Sequence, residues 1–171
     1  MRLNVLWEPE HGGGIEHLRL SVGVEGVFAE SDVRDDREGW EIRYMVRADA
    51  AWRTRSVEVV RVDLHRAVRL RCDGEGRWEG HPELDGCRDV DLRCSPFTNT
   101  LPIRRVPEGG PVRAAWIGVD LAIEPLDQEY TKLAAHRWRY RAGDLEVELD
   151  VDEHGLVLDY PGGWRRVRER P

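Results

Sequence analysis

Alternation of apolar and polar residues with a period of two runs through most of this chain, and it restricts the fold to a mostly-β architecture. Leu18, Leu20, Val22 and Val24 face one way, while Arg19, Ser21 and Glu25 face the other. Ile42, Tyr44 and Val46 alternate with Arg43 and Arg47; Val68, Leu70 and Cys72 alternate with Arg69, Arg71 and Asp73. Each run reads as a strand with one buried and one wet face. The C-terminal third is specified most strongly. A two-residue turn at Gly143-Asp144, with glycine at its first central position, sets Arg141 opposite Glu146, Arg139 opposite Glu148 and Arg137 opposite Asp150. On the other face Tyr140 meets Val147 and Trp138 meets Leu149. Outward pairs match in charge and inward pairs are apolar, so a one-residue slip would spoil both faces.

A second turn at Asp152–Gly155 predicts Val151 opposite Leu156, Leu149 opposite Leu158 and Val147 opposite Tyr160. A hairpin at Gly74–Gly76 predicts Cys72 beside Trp78 and Arg71 beside Glu79. Between Trp52 and Leu64 the apolar parity changes, from Val57 and Val59 to Val60, Val62 and Leu64, which predicts a β-bulge near Val59-Val60. Helical signals are scarce. One helix is expected within Cys94–Val106, capped by Thr98 or Thr100 with Pro102 near its first turn. A weaker one is expected over Gln128–Ala135. The tail after Trp164, with Arg165, Arg166, Arg168 and Arg170, reads as frayed. Many short strands and one helix suggest a curled sheet that must cover its own inner face.

The chain has 171 residues, 40% of them hydrophobic and 35% charged, which suits a single globular domain over 1–171. A net charge of -7 disfavours nucleic acid as a partner. The odd set Cys72, Cys87 and Cys94 does not read as a disulfide framework. Met1–Glu8 carries one basic residue and no long apolar core, so no export signal is expected. No apolar run approaches the roughly 18 residues of a membrane span. The expected location is the cytoplasm.

There is no G-x-S-x-G, P-loop, H-E-x-x-H or dinucleotide fingerprint. Gly12-Gly13-Gly14 reads as a flexible turn. His81, Cys87 and Cys94 lack a compact zinc spacing, and neither metal nor cofactor is expected. Asp89 and Asp91 share one strand face, where they can pair with arginines or do acid–base work. In Ser95–Arg105, hydroxyl, amide and guanidinium groups interleave with Phe97, Leu101 and Ile103. Inside a curled sheet each polar group needs a partner, or its burial costs on the order of 1–3 kcal/mol. Two readings stay open for this segment: a polar network that fixes the fold, and a recognition site for a polar head group beside an apolar cavity.

Gly86–Arg105 (GCRDVDLRCSPFTNTLPIRR) resembles the signature of the putative glycolipid-binding family. Ala51–Arg55, Gln128–Thr131, Val151-Asp152, Gly155–Val157 and Tyr160–Gly162 extend the resemblance over most of the chain; Ser95 stands where the family pattern has threonine. The resemblance implies a spiral β-roll, a long antiparallel sheet rolled around a single helix, packed as homodimers. It also implies likeness to carriers that hold acyl chains. Those carriers are exported, so the expectation here is an apolar ligand rather than lipoprotein traffic.

The expected function is non-catalytic binding of a glycolipid or other amphipathic ligand. Trp52, Phe97, Tyr130 and Trp138 could line the apolar part, while Arg53, Arg55, Asn99 and Arg104 hold the head; Asp89, Asp91, Thr100 and Arg105 complete the candidate set. The alternatives are a homodimeric scaffold whose polar core binds nothing, and a small-molecule enzyme with Asp89 or Asp91 as base and Arg104 or Arg105 steadying an anion.

Overall fold

The computed structural model describes residues 1–167. The first half of the chain is a meander of six strands: β1 (Arg2–Pro9), β2 (Gly14–Gly23), β3 (Gly26–Asp35), β4 (Trp40–Ala48), β5 (Thr54–Arg61) and β6 (Arg66–Arg71). Period-two alternation gives each an inner row, such as Glu16-Leu18-Leu20 on β2 and Ile42-Tyr44-Val46 on β4. Then follow β7 (Asp89–Leu92), a 3-10 turn (Pro96–Asn99), the helix α1 (Thr100–Arg105), and β8 (Gly109–Ile117). A second meander continues with β9 (Ile123–Ala134), β10 (Arg137–Ala142), β11 (Leu145–Val151), β12 (Val157–Tyr160) and β13 (Trp164–Arg166).

All thirteen strands join in one sheet, ordered β6-β5-β4-β3-β2-β1-β13-β12-β11-β10-β9-β8-β7. The two arms meet where β1 pairs with β13, so the first and last strands are neighbours in the middle of the sheet. β6 and β7 are left as edges, and the sheet is open rather than closed. The pairing is antiparallel except between β7 and β8, which run parallel. Edge strand β6 carries Arg66, Arg69 and Arg71, charges that discourage pairing with another chain.

The helical segment fills the space between the arms. Phe97 and Leu101 pack in the core with Trp7, Leu18, Ile42 and Tyr44, whereas Ile103 belongs to the core of the second arm with Trp138, Tyr140 and Leu149. A six-residue helix is far too short to hold itself together. Burial of its apolar side chains on two sides holds it instead. Ser95, rather than Thr98 or Thr100, caps the segment: its hydroxyl accepts from the Phe97 N–H at 3.0 Å. Pro96 occupies the first helical turn, where its missing N–H is harmless.

The β10–β11 hairpin has the register read from its charge and apolar pairs, from Arg137↔Asp150 to Arg141↔Glu146. The Cys72↔Trp78 bridge also forms. Five further expectations are corrected. Gln128–Ala135 is not a helix; through Ala134 it belongs to β9, hydrogen-bonded between β8 and β10. The parity change in β5 does not lie at Val59-Val60, which pair in unbroken register with Tyr44 and Arg43. It lies at Arg55, because Ala48 pairs with Thr54 while Arg47 pairs with Ser56. Val24 sits in the β2–β3 turn and is 93% exposed.

The β11–β12 register is the fourth. Val151 pairs with Val157, and Asp150 with Asp159. The Asp152 carboxylate gathers the N–H groups of His154 and Leu156, a turn that withdraws Leu156 from the ladder into the core. The C-terminal tail is also more ordered than expected through Arg166, since Trp164–Arg166 pairs with both β1 and β12; Arg168 and Arg170 lie outside the described residues. Among the described residues no helix is long and apolar enough to cross a membrane.

Candidate functional site

Two polar networks meet on the 3-10 turn. The first reaches it from the first arm. Glu16 points inward from β2 and is 0% exposed. Its Oε1 accepts from Tyr44 at 2.6 Å, Ser95 at 2.7 Å and Ser31 at 3.1 Å, so one oxygen ties β2, β3 and β4 to the cap of the turn. Its Oε2 is buried without a partner among the described residues. Burial pushes this carboxyl up to about 7, against the pull of its three donors.

The second network comes from β7. Asp89 and Asp91 do share one face, but they do different work. Asp89 is 1% exposed and receives a bidentate bond from Arg105 of α1. Burial lifts its carboxyl above the ordinary range and Arg105 opposes the lift. Among the described residues no cation pairs with Asp91. Its oxygens accept from Thr98 at 3.1 Å and Gln128 at 2.6 Å. Burial raises its carboxyl, and the neighbouring Asp89 adds to the rise. The amide of Gln128 also reaches the Tyr140 hydroxyl at 3.0 Å, and the Tyr130 hydroxyl donates to Asn99 at 2.8 Å. The rings of Tyr130, Tyr140 and Tyr160 stand in sequence, with centroids 5.2 and 6.3 Å apart.

This second network floors a cleft of about 430 Å³ between the 3-10 turn and the inner face of the second arm. That volume is in the range, roughly 300–1,000 Å³, typical of small-molecule sites. Ser95, Asn99 and Tyr140 are the buried polar groups of its lining, with Asp91 and Tyr160 half-buried beside them. Trp116, Leu126, Ala142 and Trp164 make apolar walls, and Arg93, Glu124 and Leu145 are exposed at the mouth. Strand parity explains the arrangement: Leu126, Gln128 and Tyr130 share one face of β9, as do Tyr140 and Ala142 on β10.

Of the candidates read from the sequence, Asp91 and Asn99 line this cleft, and Tyr130 supports its floor through Asn99. The others lie elsewhere. Phe97 is fully buried and stacks on Tyr44, with centroids 6.4 Å apart. Thr100 is buried with its hydroxyl unpartnered among the described residues. Trp138 is core, with the Lys132 ammonium over its ring. Trp52 is buried too, and the Arg104 guanidinium lies 5.4 Å from its ring centroid. Arg53 pairs with Asp49 and Glu75, and Arg55 donates to the Asp73 carbonyl. Arg105 is held by Asp89. So none of the four arginines, and neither Trp52 nor Trp138, lines the cleft.

Sequence reasoning did not pick out Glu16, Gln128, Tyr140, Tyr160, Trp116 or Trp164. A signal for Glu16 was present, because it shares parity with Leu18 and Leu20 and so had to face inward. Gln128 was hidden by reading its strand as a helix. All three cysteines are free and buried, and burial raises the Cys94 thiol well above its ordinary range. Among the described residues no group of three or more His, Cys, Asp or Glu is placed to hold a metal ion.

The family model described as putative glycolipid-binding matches residues 4–166. The crystal structure of a DUF1089 family protein from Pseudomonas aeruginosa is similar: 33% identical, with a TM-score of 0.75, over 89% of this chain and 92% of that one. No curated protein matches the sequence significantly. With the matched span covering nearly the whole sheet and both networks, the chain belongs to the putative glycolipid-binding family.

Proposed function

We propose that the protein is a non-catalytic binder of an amphipathic small molecule, a glycolipid being the ligand that the family name implies. The observation that carries this reading is the mixed lining of the cleft. Hydrogen-bonding groups (Asp91, Asn99, Tyr140, Tyr160) and apolar side chains (Trp116, Leu126, Leu145, Trp164) line one cavity. A head group satisfied by the first set leaves its apolar tail to the second, where each buried methylene contributes about 0.8 kcal/mol. Asp89 and Arg105 serve this site from behind, by fixing α1 and the turn beneath the cleft.

Solvent extraction of the purified protein followed by mass spectrometry is expected to find a co-purifying amphipath. Trp164→Ala should lose it while keeping the cooperative unfolding of the parent. A blank extract together with no uptake of fluorescent acyl probes would overturn the reading. The homodimer and the cytoplasmic location expected from the sequence are kept as proposals beside it; sedimentation of the purified protein decides the first.

A further inference from the structure

We infer that the protein carries a second binding site, for the phosphoryl group of a small molecule, beside the first residues of β8, where Arg88, Arg105 and Arg113 line one cavity; it is separate from the cleft and does not rest on the amphipath reading. The sheet makes room for it. β7 begins only at Asp89, opposite Ala114, so among the described residues the stretch of β8 from Gly109 to Val112 has β9 on one side and no strand on the other. A cavity of about 380 Å³ lies there, a volume that suits a small molecule. Its lining shares no residue with that of the cleft. Three arginines reach it from three places in the fold: Arg88 from the loop before β7, Arg105 from the last turn of α1 and Arg113 from β8. The Arg88 N–H donates to the Arg113 carbonyl at 3.0 Å, which fixes the backbones of these two side by side.

The charge balance carries the argument. In a chain of net charge -7, this lining holds three arginines and one acid, Asp127, whereas the cleft holds one arginine and two acids. The bonds that the arginines already make leave donors to spare. Arg105 spends Nε and Nη2 on Asp89, which sets its fork, and its Nη1 takes no partner among the described residues. Arg113 meets Asp127 at 3.2 Å, and Arg88 lies 3.6 Å from Glu75, outside hydrogen-bond reach. All four of these side chains are exposed, and exposed pairs contribute little and yield readily to a better acceptor. A phosphate ester offers three strong acceptor oxygens, one for each guanidinium. A carboxylate offers two, which a single arginine fork already satisfies.

The test is calorimetric titration of the whole chain at low ionic strength with glycerol phosphate and with acetate. The parent protein is expected to bind glycerol phosphate saturably, at least about tenfold more tightly than acetate. Arg88→Gln and Arg113→Gln each remove one exposed ion pair, so both should keep the parent's unfolding transition. Each should weaken glycerol phosphate at least about tenfold, the scale of one lost charge-assisted hydrogen bond. Asp127→Asn should tighten it about threefold by removing the one acid of the lining. Arg137→Gln, at an arginine as exposed as Arg88 but on β10, should change nothing. No saturable binding by the parent, acetate bound as tightly as glycerol phosphate, or unchanged affinity in both Arg88→Gln and Arg113→Gln overturns the inference. So does an equal loss in Arg137→Gln, as diffuse attraction to surface arginines would give. Uptake of fluorescent acyl probes should survive all four substitutions, so the fate of this site and that of the amphipath reading are told apart.

Discussion

Glu16 makes a quantitative demand on the pH dependence of stability. Its carboxyl rises from 4.5 to about 7 on folding, because burial outweighs three hydrogen bonds to one oxygen. A raised carboxyl means that the folded state binds the proton more tightly than the unfolded chain. The stability it lends is therefore complete below about pH 4.5 and is lost as pH climbs through 7. At about 1.4 kcal/mol per pH unit, the loss approaches roughly 3 kcal/mol by pH 8. Glu16→Gln keeps the shape and an acceptor for Tyr44, Ser95 and Ser31 but cannot ionise. The protonated carboxyl of the parent and the amide of the variant each place a donor at the partnerless Oε2 position, so the two proteins should be matched within about 1 kcal/mol at pH 5. The variant should then gain on the parent by roughly 2.5 kcal/mol between pH 5 and pH 8. Urea unfolding of both at pH 5, 6, 7 and 8 measures this, and taking the difference cancels the other ionisable groups. A difference that stays flat with pH, or that moves against the variant, would refute the reasoning.

Phe97→Ala should cost about 3–5 kcal/mol in urea unfolding, since the ring is fully buried against Tyr44 and little can collapse into its place. Arg105→Ala should cost a similar 3–5 kcal/mol by stranding the buried Asp89, and adding Asp89→Asn should restore part of the loss, a coupling read from a double-mutant cycle. Gly109→Ala should destabilise by more than 1 kcal/mol in thermal unfolding, because φ is 84° and the new Cβ would stand 2.5 Å from the Tyr130 carbonyl oxygen.

The sheet was legible in the sequence wherever two independent patterns agreed. Arg137, Arg139 and Arg141 face Asp150, Glu148 and Glu146 while apolar residues meet on the reverse, so only one register of β10–β11 satisfies both faces. Where a single pattern had to decide, local chemistry won. Gln128–Ala135 is rich in good helix formers (Gln, Glu, Lys, Leu, Ala), yet ladders on both sides hold it extended. The parity break in β5 was visible, but Val60 and Val62 are only partly buried on the outer side, so the valines misplaced a bulge that lies at Arg55. The central segment was recognised as polar and interior, and Asp91 and Asn99 were found with it. The arginines were assigned to a head group because their charge is visible in one dimension and most of their partners are not: Asp49 lies only four residues from Arg53, but Glu75, Asp73 and the Trp52 ring meet the arginines only through the fold. The tyrosines of β10 and β12 looked like ordinary inward residues and acquire a role only because both arms converge on the 3-10 turn.

The convergence of the two arms on the 3-10 turn makes one cleft lined by both hydrogen-bonding and apolar side chains. The most direct measurement is an amide and indole chemical-shift titration of the labelled protein with octyl glucoside. Saturable shifts are expected, confined to Asp91, Asn99, Tyr140, Tyr160 and the Trp116 and Trp164 indoles. Shifts gathered instead on the open groove along Leu3, Val151 and Leu158, with the Asp91 floor silent, would contradict it.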